Sequence, residues 1–225
     1  MHSHAVSSDQ SGMPKFPNPP GVAALSRLEP AVVSIPPGSR VARVYYSRSR
    51  HTLRWDEFRH FGPLNSRWDH HLPDAAGMPV TQERSIYYAA TDAKTCLAEF
   101  FQHTRRIDRA AQSPWLVVFE LAQSLDLIDL TGDFATRMGA SMEVHSGPRV
   151  RAQRWACDLY EAFPTTHGIL YASSMNGGAP VLAVSDRAEK RGMFPDHPLF
   201  HRALADDVLL DTLKDAADKL GYALR

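Results

Sequence analysis

The sequence contains little cysteine, little lysine and no long hydrophobic run. Its two cysteines, Cys96 and Cys157, form no CxxC or Cys/His spacing, which argues against a disulfide-rich secreted scaffold and gives no metal-binding motif. The longest apolar stretch near the N-terminus covers residues 21–25 and is too short for a signal peptide or a membrane span. We therefore expect a cytoplasmic protein with reduced thiols that does not act at a membrane.

Common catalytic signatures are also missing. The sequence has no GxGxxG turn, no Walker-type phosphate loop, no GxSxG nucleophile motif and no HExxH zinc motif. None of the 11 histidines has a second ligand at helical spacing, and the pair His70-His71 is interpreted as surface or loop histidines. A bound metal is not expected.

Neither sign of charge dominates, because 25 basic and 25 acidic side chains give a formal net charge of zero. This balance argues against a function that depends on bulk attraction to nucleic acid or to an anionic membrane. Only five of the basic residues are lysines, so arginine prevails. Because a guanidinium group binds phosphate through two parallel hydrogen bonds, this bias suits a phosphate-bearing ligand. GC-rich codon usage would produce the same bias without any such ligand.

The chain divides near residue 41 into a proline-rich extension and a folded domain. Residues 1–40 hold seven of the 16 prolines, which favours an extended arm over regular structure. From Val41 onwards, short β-rich runs alternate with helical patterns. We predict an N-terminal extension over residues 1–40 and one domain over residues 41–225.

The domain is predicted to belong to the α+β class. Strands are expected over Val41–Tyr46, Ser85–Ala90, Trp115–Leu121, Leu125–Leu130, Gly168–Ala172 and Val181–Val184. Helices are expected over Asp92–Thr104, Pro148–Phe163 and Leu199–Leu220. Because no regular crossover helices separate the strands, a mixed or antiparallel sheet fits better than a doubly wound parallel sheet.

Two early segments carry residues with chemical potential. Arg43 lies in the first strand, where alternation puts Val41, Arg43 and Tyr45 on one face. It would either meet an anion in the interior or point to solvent from an edge strand. Residues 48–68 mix arginines, Arg67 among them, with aromatic side chains, and such a mixture can form the wall of a nucleotide-sized pocket.

Two later segments add a carboxylate and a hydroxyl. A strand with Tyr87 leads into a helix with Glu99, and periodicity leaves Glu99 either solvated or at the margin of the core, facing the strand of Tyr87. Further on, an apolar strand ends at Ser173, Ser174 and two glycines. Such an end lets a ligand approach the backbone, although an ordinary turn uses the same residues.

Together these segments resemble the RES domain, named after an arginine, a glutamate and a serine and found in toxins of bacterial RES–Xre toxin–antitoxin pairs. The matching segments, in order, are RVYY with Arg43, SRWD with Arg67, IYYAATDAKTCLAEF with Tyr87 and Glu99, and GILYASS with Ser173. The order and spacing of these segments carry the resemblance, which covers roughly residues 41–190. Ser173 is preferred to its neighbour because the family serine follows the tyrosine by two positions.

The resemblance implies a fold like that of ADP-ribosyltransferases, a split, twisted β-sheet with flanking helices. It implies a toxin that cleaves the nicotinamide–ribose bond of NAD+ by hydrolysis or by phosphorolysis, with inorganic phosphate as co-substrate in the second case and no resident cofactor. It also implies an Xre-type antitoxin as a protein partner, which is expected to block the active site.

Transferred to this sequence, the family pattern makes Glu99 and Arg43 the catalytic residues. Arg43 and Arg67 would hold the pyrophosphate or ribose side of NAD+, Tyr87 would stack on the nicotinamide ring, and Ser173 would fix the nicotinamide half. Because nicotinamide leaves as a neutral molecule, the reaction needs a negative charge near an oxocarbenium-like ribose rather than a general acid. Glu99 would supply that charge.

Two alternatives stay open at the level of sequence. An ADP-ribosyltransferase that modifies a cellular protein would use the same site and differ only in the acceptor. A non-enzymatic nucleotide- or nucleic-acid-binding module built on residues 43–68 is the alternative of another class, and the zero net charge disfavours it.

Overall fold

The computed structural model describes residues 14–49 and 51–225. A large mixed sheet dominates the fold, and helices cover it. The strands are β1 (Val32–Ile35), β2 (Arg40–Tyr46), β3 (Arg59–Gly62), β4 (Val80–Ala90), β5 (Arg106–Ile107), β6 (Pro114–Glu120), β7 (Leu125–Asp129), β8 (Gly168–Ala172), β9 (Pro180–Ser185), β10 (Phe200–Ala203) and β11 (Ala223–Leu224). The α-helices are α1 (Val22–Leu25), α2 (Ala93–Phe100), α3 (Phe134–Arg137), α4 (Arg149–Ala162), α5 (Asp186–Arg191) and α6 (Leu210–Leu220).

The nine-stranded sheet has the order β1-β7-β8-β9-β4-β2-β6-β10, and β3 pairs with β4 beside this path. Its strand pairs are antiparallel except for β7 and β8, which run parallel. The short strands β5 and β11 form a second, parallel sheet. The α+β class and the mixed sheet predicted from the sequence are confirmed.

The large sheet nearly splits between β2 and β4. Ala42 and Ala90 form the single residue pair between these strands, whereas β2 pairs with β6 along its whole length. Beside the gap, the backbone N–H of Val44 donates to Sγ of Cys96 in α2 over 2.9 Å. The side chain of a helix thus replaces a missing strand partner. This gap is the split expected of an ADP-ribosyltransferase-like sheet.

Both faces of the central strands are buried. Tyr88 and Ala90 of β4 share a face with Val44 of β2, and this face is covered by α2, α4 and α6. Tyr87 and Ala89 share the opposite face with Val41, where Phe58, Phe119 and Phe194 form an aromatic cluster. Because both faces are apolar, the sequence of β4 does not show which face carries the site.

Residues 14–40 of the N-terminal extension pack against the domain, and they include regular structure where the prolines favoured an extended chain. Strand β1 pairs with β7 at the sheet edge, and Phe16 stacks against Trp155 of α4 with ring centroids 6.4 Å apart. Pro30 and Pro36 flank β1 and do not interrupt it, so the strand keeps its amide donors. Residues 1–13 of the predicted arm lie outside the described residues.

The helix predicted over Leu199–Leu220 is partly wrong. Its first part forms β10, which pairs with β6, and α6 begins only at Leu210. Asp206 accepts a hydrogen bond from the backbone N–H of Val208 and starts a short 3₁₀ turn, which separates the two elements. Val208 follows the helical spacing of apolar residues but is 69% exposed. Within the described residues, no helix has the length and hydropathy that a membrane span requires.

Candidate active site

A cavity of about 280 Å³ opens where the sheet splits. Strands β2, β4 and β8, helix α2, the loop before β4 and the first turn of α4 contribute to its wall. Its lining includes one carboxylate, Glu99, and two guanidinium groups, Arg67 and Arg149. Two histidines also line it, and Tyr88 and Tyr171 supply aromatic surface. The cavity therefore combines a carboxylate, two guanidinium groups and two phenol rings.

Glu99 lies in the last turn of α2, a helix that Asp92 begins by accepting a hydrogen bond from the backbone N–H of Thr95 over 2.8 Å. The hydroxyl of Ser173 donates to Oε1 of Glu99 over 2.5 Å. Burial raises the pKa of Glu99, while the hydrogen bond from Ser173 and the charges of the two lining arginines oppose that rise. Of the two positions that periodicity allowed, Glu99 thus occupies the margin of the core and not the solvated face.

Arg67 lies at the cavity on the loop between β3 and β4, and buried hydrogen bonds of Asp69 hold this loop in place. The buried carboxylate of Asp69 accepts a hydrogen bond from the backbone N–H of Leu64 over 2.7 Å and pairs with Arg59 over 2.7 Å. Arg67 itself donates through Nη1 to the carbonyl of Gly147 over 2.7 Å. Burial, followed by repulsion from Arg149, lowers the pKa of Arg67. This guanidinium is therefore preoriented and partly desolvated.

The structure brings Arg67, Glu99 and Ser173 together, but it places Arg43 and Tyr87 on the opposite face of the sheet. The Tyr87 side chain is buried, and its hydroxyl donates to the carbonyl of Trp55 over 2.8 Å. The guanidinium of Arg43 lies over the Tyr87 ring, 4.1 Å from its centroid. Neither residue lines the cavity in this geometry. Their predicted roles in binding NAD+, and the predicted catalytic role of Arg43, stay predictions.

Tyr88 and Tyr171 line the cavity, where Tyr87 was expected to provide an aromatic ring. Consecutive residues of a strand point to opposite faces, so one of the two neighbouring tyrosines of β4 had to face α2. Burial raises the pKa of both cavity tyrosines. Within the described part of the chain, the buried hydroxyl of Tyr88 has no hydrogen-bond partner of normal geometry. Alternation in β4 could not have identified Tyr88, because both faces of the strand are apolar.

The predicted stretch of arginines and aromatic residues does not form the wall of the cavity as a whole. Trp55, Phe58 and Trp68 are buried in the core, and of the predicted arginines with described positions Arg67 alone lines the cavity. Arg50 lies outside the described residues. Large aromatic side chains gain more from packing in the core than from partial exposure beside a ligand.

The two serines at the end of β8 have different positions. Ser174 lines the cavity, whereas Ser173 lies behind Glu99 and contacts it through the hydrogen bond. Ser173 is therefore a positioning residue in this geometry. The pair His70-His71 lies in a loop, as predicted, but both rings are buried instead of being on the surface. In the ranges 14–49 and 51–225, no group of three or more His, Cys, Asp and Glu side chains is arranged to hold a metal ion.

Comparison with known proteins agrees with this architecture. The family model of the RES domain matches residues 40–206. A chain from the crystal structure of the M. tuberculosis MbcT–MbcA toxin–antitoxin complex superimposes with a TM-score of 0.54 and 15% sequence identity, over 84% of this chain and 94% of that chain. At this identity the likeness shows the fold alone, and no curated protein matches the sequence. Because the family model covers most of its length, the chain belongs to the RES domain family.

Proposed function

We propose that the chain is the toxin of a toxin–antitoxin pair and that it cleaves the nicotinamide–ribose bond of NAD+. The observation that carries the proposal is the carboxylate of Glu99, which a hydrogen bond from Ser173 fixes in a cavity with two arginines and two tyrosines. Membership in the RES domain family supports the proposal, and so does the shared fold with a chain of a solved toxin–antitoxin complex.

The geometry suits this reaction because the leaving group needs no proton. Nicotinamide departs as a neutral molecule, so the enzyme has to stabilise the positive charge that develops on the ribose. The carboxylate of Glu99 supplies negative charge for that purpose, as the carboxylates of glycosidases do. Ser173 holds one carboxylate oxygen in place. A fixed carboxylate loses less energy to reorganisation in the transition state than a mobile one.

The other lining residues account for substrate binding. Tyr88 or Tyr171 takes the role of the stacking ring, since a cationic pyridinium over a phenol face gains about 0.5–2 kcal/mol. Arg67 binds the phosphate next to the nicotinamide ribose through charge-assisted hydrogen bonds. A protein antitoxin would inhibit the enzyme by covering this cavity, and an Xre-type protein is the partner that the family resemblance implies.

The test is to mix the purified protein with NAD+, with and without inorganic phosphate, and to quantify nicotinamide and the ribose-containing product. We expect nicotinamide release. Free ADP-ribose would indicate hydrolysis, a phosphorylated ADP-ribose would indicate phosphorolysis, and ADP-ribose attached to protein would indicate transfer. Glu99→Gln should lower the rate by about 10²–10³-fold. Glu83→Gln on the exposed part of β4 is the matched control and should leave the rate unchanged. If the wild-type protein releases no nicotinamide, the proposed chemistry is wrong.

Growth provides the test of the toxin. Expression of the chain alone should arrest growth, and Glu99→Gln should restore it at the same protein level. If the folded Glu99→Gln variant still arrests growth, the cavity is not the cause of toxicity.

A further inference from the structure

Arg149, which no sequence motif indicated, lies at the edge of the same cavity. It belongs to the first turn of α4, and its Nη2 donates to Oε1 of Gln102 over 2.8 Å. Gln102 in turn donates to the backbone carbonyl of Glu99 over 2.7 Å. Arg149 is therefore tied to the helix that carries the carboxylate, and a second guanidinium accompanies Arg67 beside it.

The two arginines repel each other, and although Glu99 attracts both through the cavity, neither is paired directly with an acid in the described part of the chain. Within the described residues, neither Arg67 nor Arg149 has a carboxylate oxygen within 4.0 Å, and the cavity lining contains Glu99 as its only carboxylate. Arg149 also lies at the N-terminus of α4, where the helix dipole disfavours a cation. Pro148 precedes this first turn and supplies no side-chain acceptor. An anion that lies between the two groups would relieve their repulsion and accept charge-assisted hydrogen bonds from both.

The size of the cavity limits which part of NAD+ it encloses. Pockets for drug-sized ligands hold roughly 300–1,000 Å³, and a dinucleotide is larger than most of these ligands. A cavity of about 280 Å³ lies just below this range, so it suits a nicotinamide ring with its ribose and one phosphate better than a whole dinucleotide. The aromatic rings, the carboxylate and the two guanidinium groups match these three parts of a mononucleotide.

We propose that Arg67 and Arg149 together clamp the phosphate next to the nicotinamide ribose, and that the enzyme therefore accepts nicotinamide mononucleotide as well as NAD+. This inference rests on the proposed function for the reaction and adds to it a phosphate subsite and a substrate class. The adenosine half lies outside the cavity and contributes less to recognition than the phosphate does.

The experiment compares three substrates that carry two, one or no phosphates: NAD+, nicotinamide mononucleotide and nicotinamide riboside. Nicotinamide release is measured for the wild-type protein, for Arg149→Gln and for Arg154→Gln. Arg154 lies on the same helix, binds Asn18 over 3.0 Å and does not line the cavity, which makes it the matched control. We expect Arg149→Gln to lower kcat/KM at least tenfold for both nucleotides, mainly through KM, and to leave the riboside within twofold. Arg154→Gln should leave all three substrates unchanged.

The midpoint of thermal unfolding distinguishes a role of Arg149 in phosphate binding from a role in stabilising the fold. Because Arg149 faces Arg67 and a helix N-terminus, Arg149→Gln should retain or raise the midpoint of the ligand-free protein. A loss that is equal for the riboside, together with a lower midpoint, would show that Arg149 acts only through Gln102 and would overturn the inference. Failure of the wild-type protein to cleave nicotinamide mononucleotide while it cleaves NAD+ would overturn it as well.

A second measurement tests the subsite independently of the reaction. Titration with inorganic pyrophosphate in a calorimeter should show binding to the wild-type protein and to Arg154→Gln, and binding at least tenfold weaker to Arg149→Gln. If pyrophosphate binds in this pattern while no substrate is cleaved, the phosphate subsite stands and the proposed reaction fails. If pyrophosphate does not bind to the wild-type protein, the subsite is wrong whatever the reaction.

Discussion

Ser173 donates its hydroxyl proton to Oε1 of Glu99 across 2.5 Å. The oxygen of the same hydroxyl accepts hydrogen bonds from the backbone N–H groups of Met175 and Asn176, each over 3.1 Å. The two N–H groups use the acceptor sites of the hydroxyl oxygen, so its one proton points to Glu99. Burial raises the pKa of Glu99 and this hydrogen bond lowers it. The hydrogen bond from Ser173 therefore favours the ionised form of Glu99.

Ser173→Ala should shift the acid limb of the pH–rate profile to higher pH. The reaction needs ionised Glu99, so the rate falls as the pH decreases through the pKa of that carboxyl, and losing the hydrogen bond raises this pKa. A hydrogen bond to a charged group is worth about 1.5–3 kcal/mol, which corresponds to a loss of kcat/KM of roughly tenfold or more. Nicotinamide release measured against pH provides the readout.

Ser174→Ala is the comparison for this profile, since Ser174 lines the cavity without contacting Glu99 by a hydrogen bond in the described structure. It should leave the acid limb at the wild-type pH, whatever it does to KM. A shift of the limb in Ser174→Ala and none in Ser173→Ala would contradict the assignment of the positioning serine.

The two adjacent tyrosines of β4 should respond differently to substitution. Tyr88→Leu removes a ring that lines the cavity and should raise KM for NAD+ about tenfold while the protein remains folded. Tyr87→Leu removes a buried ring that packs against Phe58 and Arg43 on the other face, and should lower the free energy of unfolding by about 2–4 kcal/mol. In the folded fraction, its KM should stay near that of the wild-type protein.

Urea denaturation and substrate titration on the same preparations distinguish these outcomes. A raised KM in Tyr87→Leu with unchanged stability would place the stacking ring on the other face of the sheet. Such a result would restore the assignment that the family pattern first gave to Tyr87.

The comparison of sequence and structure shows where periodicity is informative and where it is not. Strand β8 was predicted with its observed bounds, Gly168–Ala172, because a short apolar run between turn residues favours a strand over a helix. Glu99 and Ser173, which the family order assigned to one site, are joined by a hydrogen bond in the structure. Tyr87 was assigned from the family pattern, and alternation offered no check on that choice because both faces of β4 are apolar.

Charge and tertiary pairing explain the remaining differences. Arg43 was expected to meet an anion or solvent; it is half-buried, with its guanidinium over the ring of Tyr87 and its Nη1 donating to the carbonyl of Glu57. Strand β10 was predicted as helix since its pairing with β6 depends on residues far away in the sequence. Arg149 carried no signal at all, because its importance depends on where α4 begins relative to the cavity.

Gly168→Ala should destabilise the strand that leads to Ser173. Gly168 has φ +153°, and a Cβ at this position would lie 2.4 Å from the carbonyl oxygen of Ala183 and 2.7 Å from Cα of Val184. Both are backbone atoms of β9, so the strands would have to separate, and we expect a loss of more than about 2 kcal/mol in the free energy of unfolding. Urea denaturation measures this difference directly.

Gly139→Ala is the control for backbone strain without a clash. Gly139 has φ +92°, and a Cβ there meets nothing within 4 Å. It should cost about 1 kcal/mol. Equal losses in the two variants would show that close packing of β8 against β9 is not what requires Gly168.

The buried ring of His70 should make the protein sensitive to mildly acidic pH. His70 is 4% exposed and stacks on Tyr160 with ring centroids 4.6 Å apart. Burial, aided by the charges of His71 and Arg84, lowers the pKa of His70 to about 3, although the carboxylate of Asp186 opposes the shift. The folded protein thus binds this proton much more weakly than the unfolded chain does, in which the pKa is about 6.5.

The sign of the effect follows from this difference. Between pH 6.5 and pH 3 the unfolded chain binds more protons, so the free energy of unfolding contributed by His70 decreases as the pH falls through this range. The slope approaches about 1.4 kcal/mol per pH unit once the unfolded residue is protonated. Asp69 acts in a different window, because its lowered pKa removes stability only when the pH falls below about 3.8.

Substitution of His70 by phenylalanine isolates this contribution. His70→Phe keeps a ring that can stack on Tyr160 and removes the titrating group, so its free energy of unfolding should depend less on pH between pH 6.5 and pH 4. His197→Gln, at an exposed position, should follow the wild-type curve. Urea denaturation at half-unit intervals of pH measures the three curves. Parallel curves for His70→Phe and the wild-type protein would show that His70 is not the group that must stay neutral in the fold.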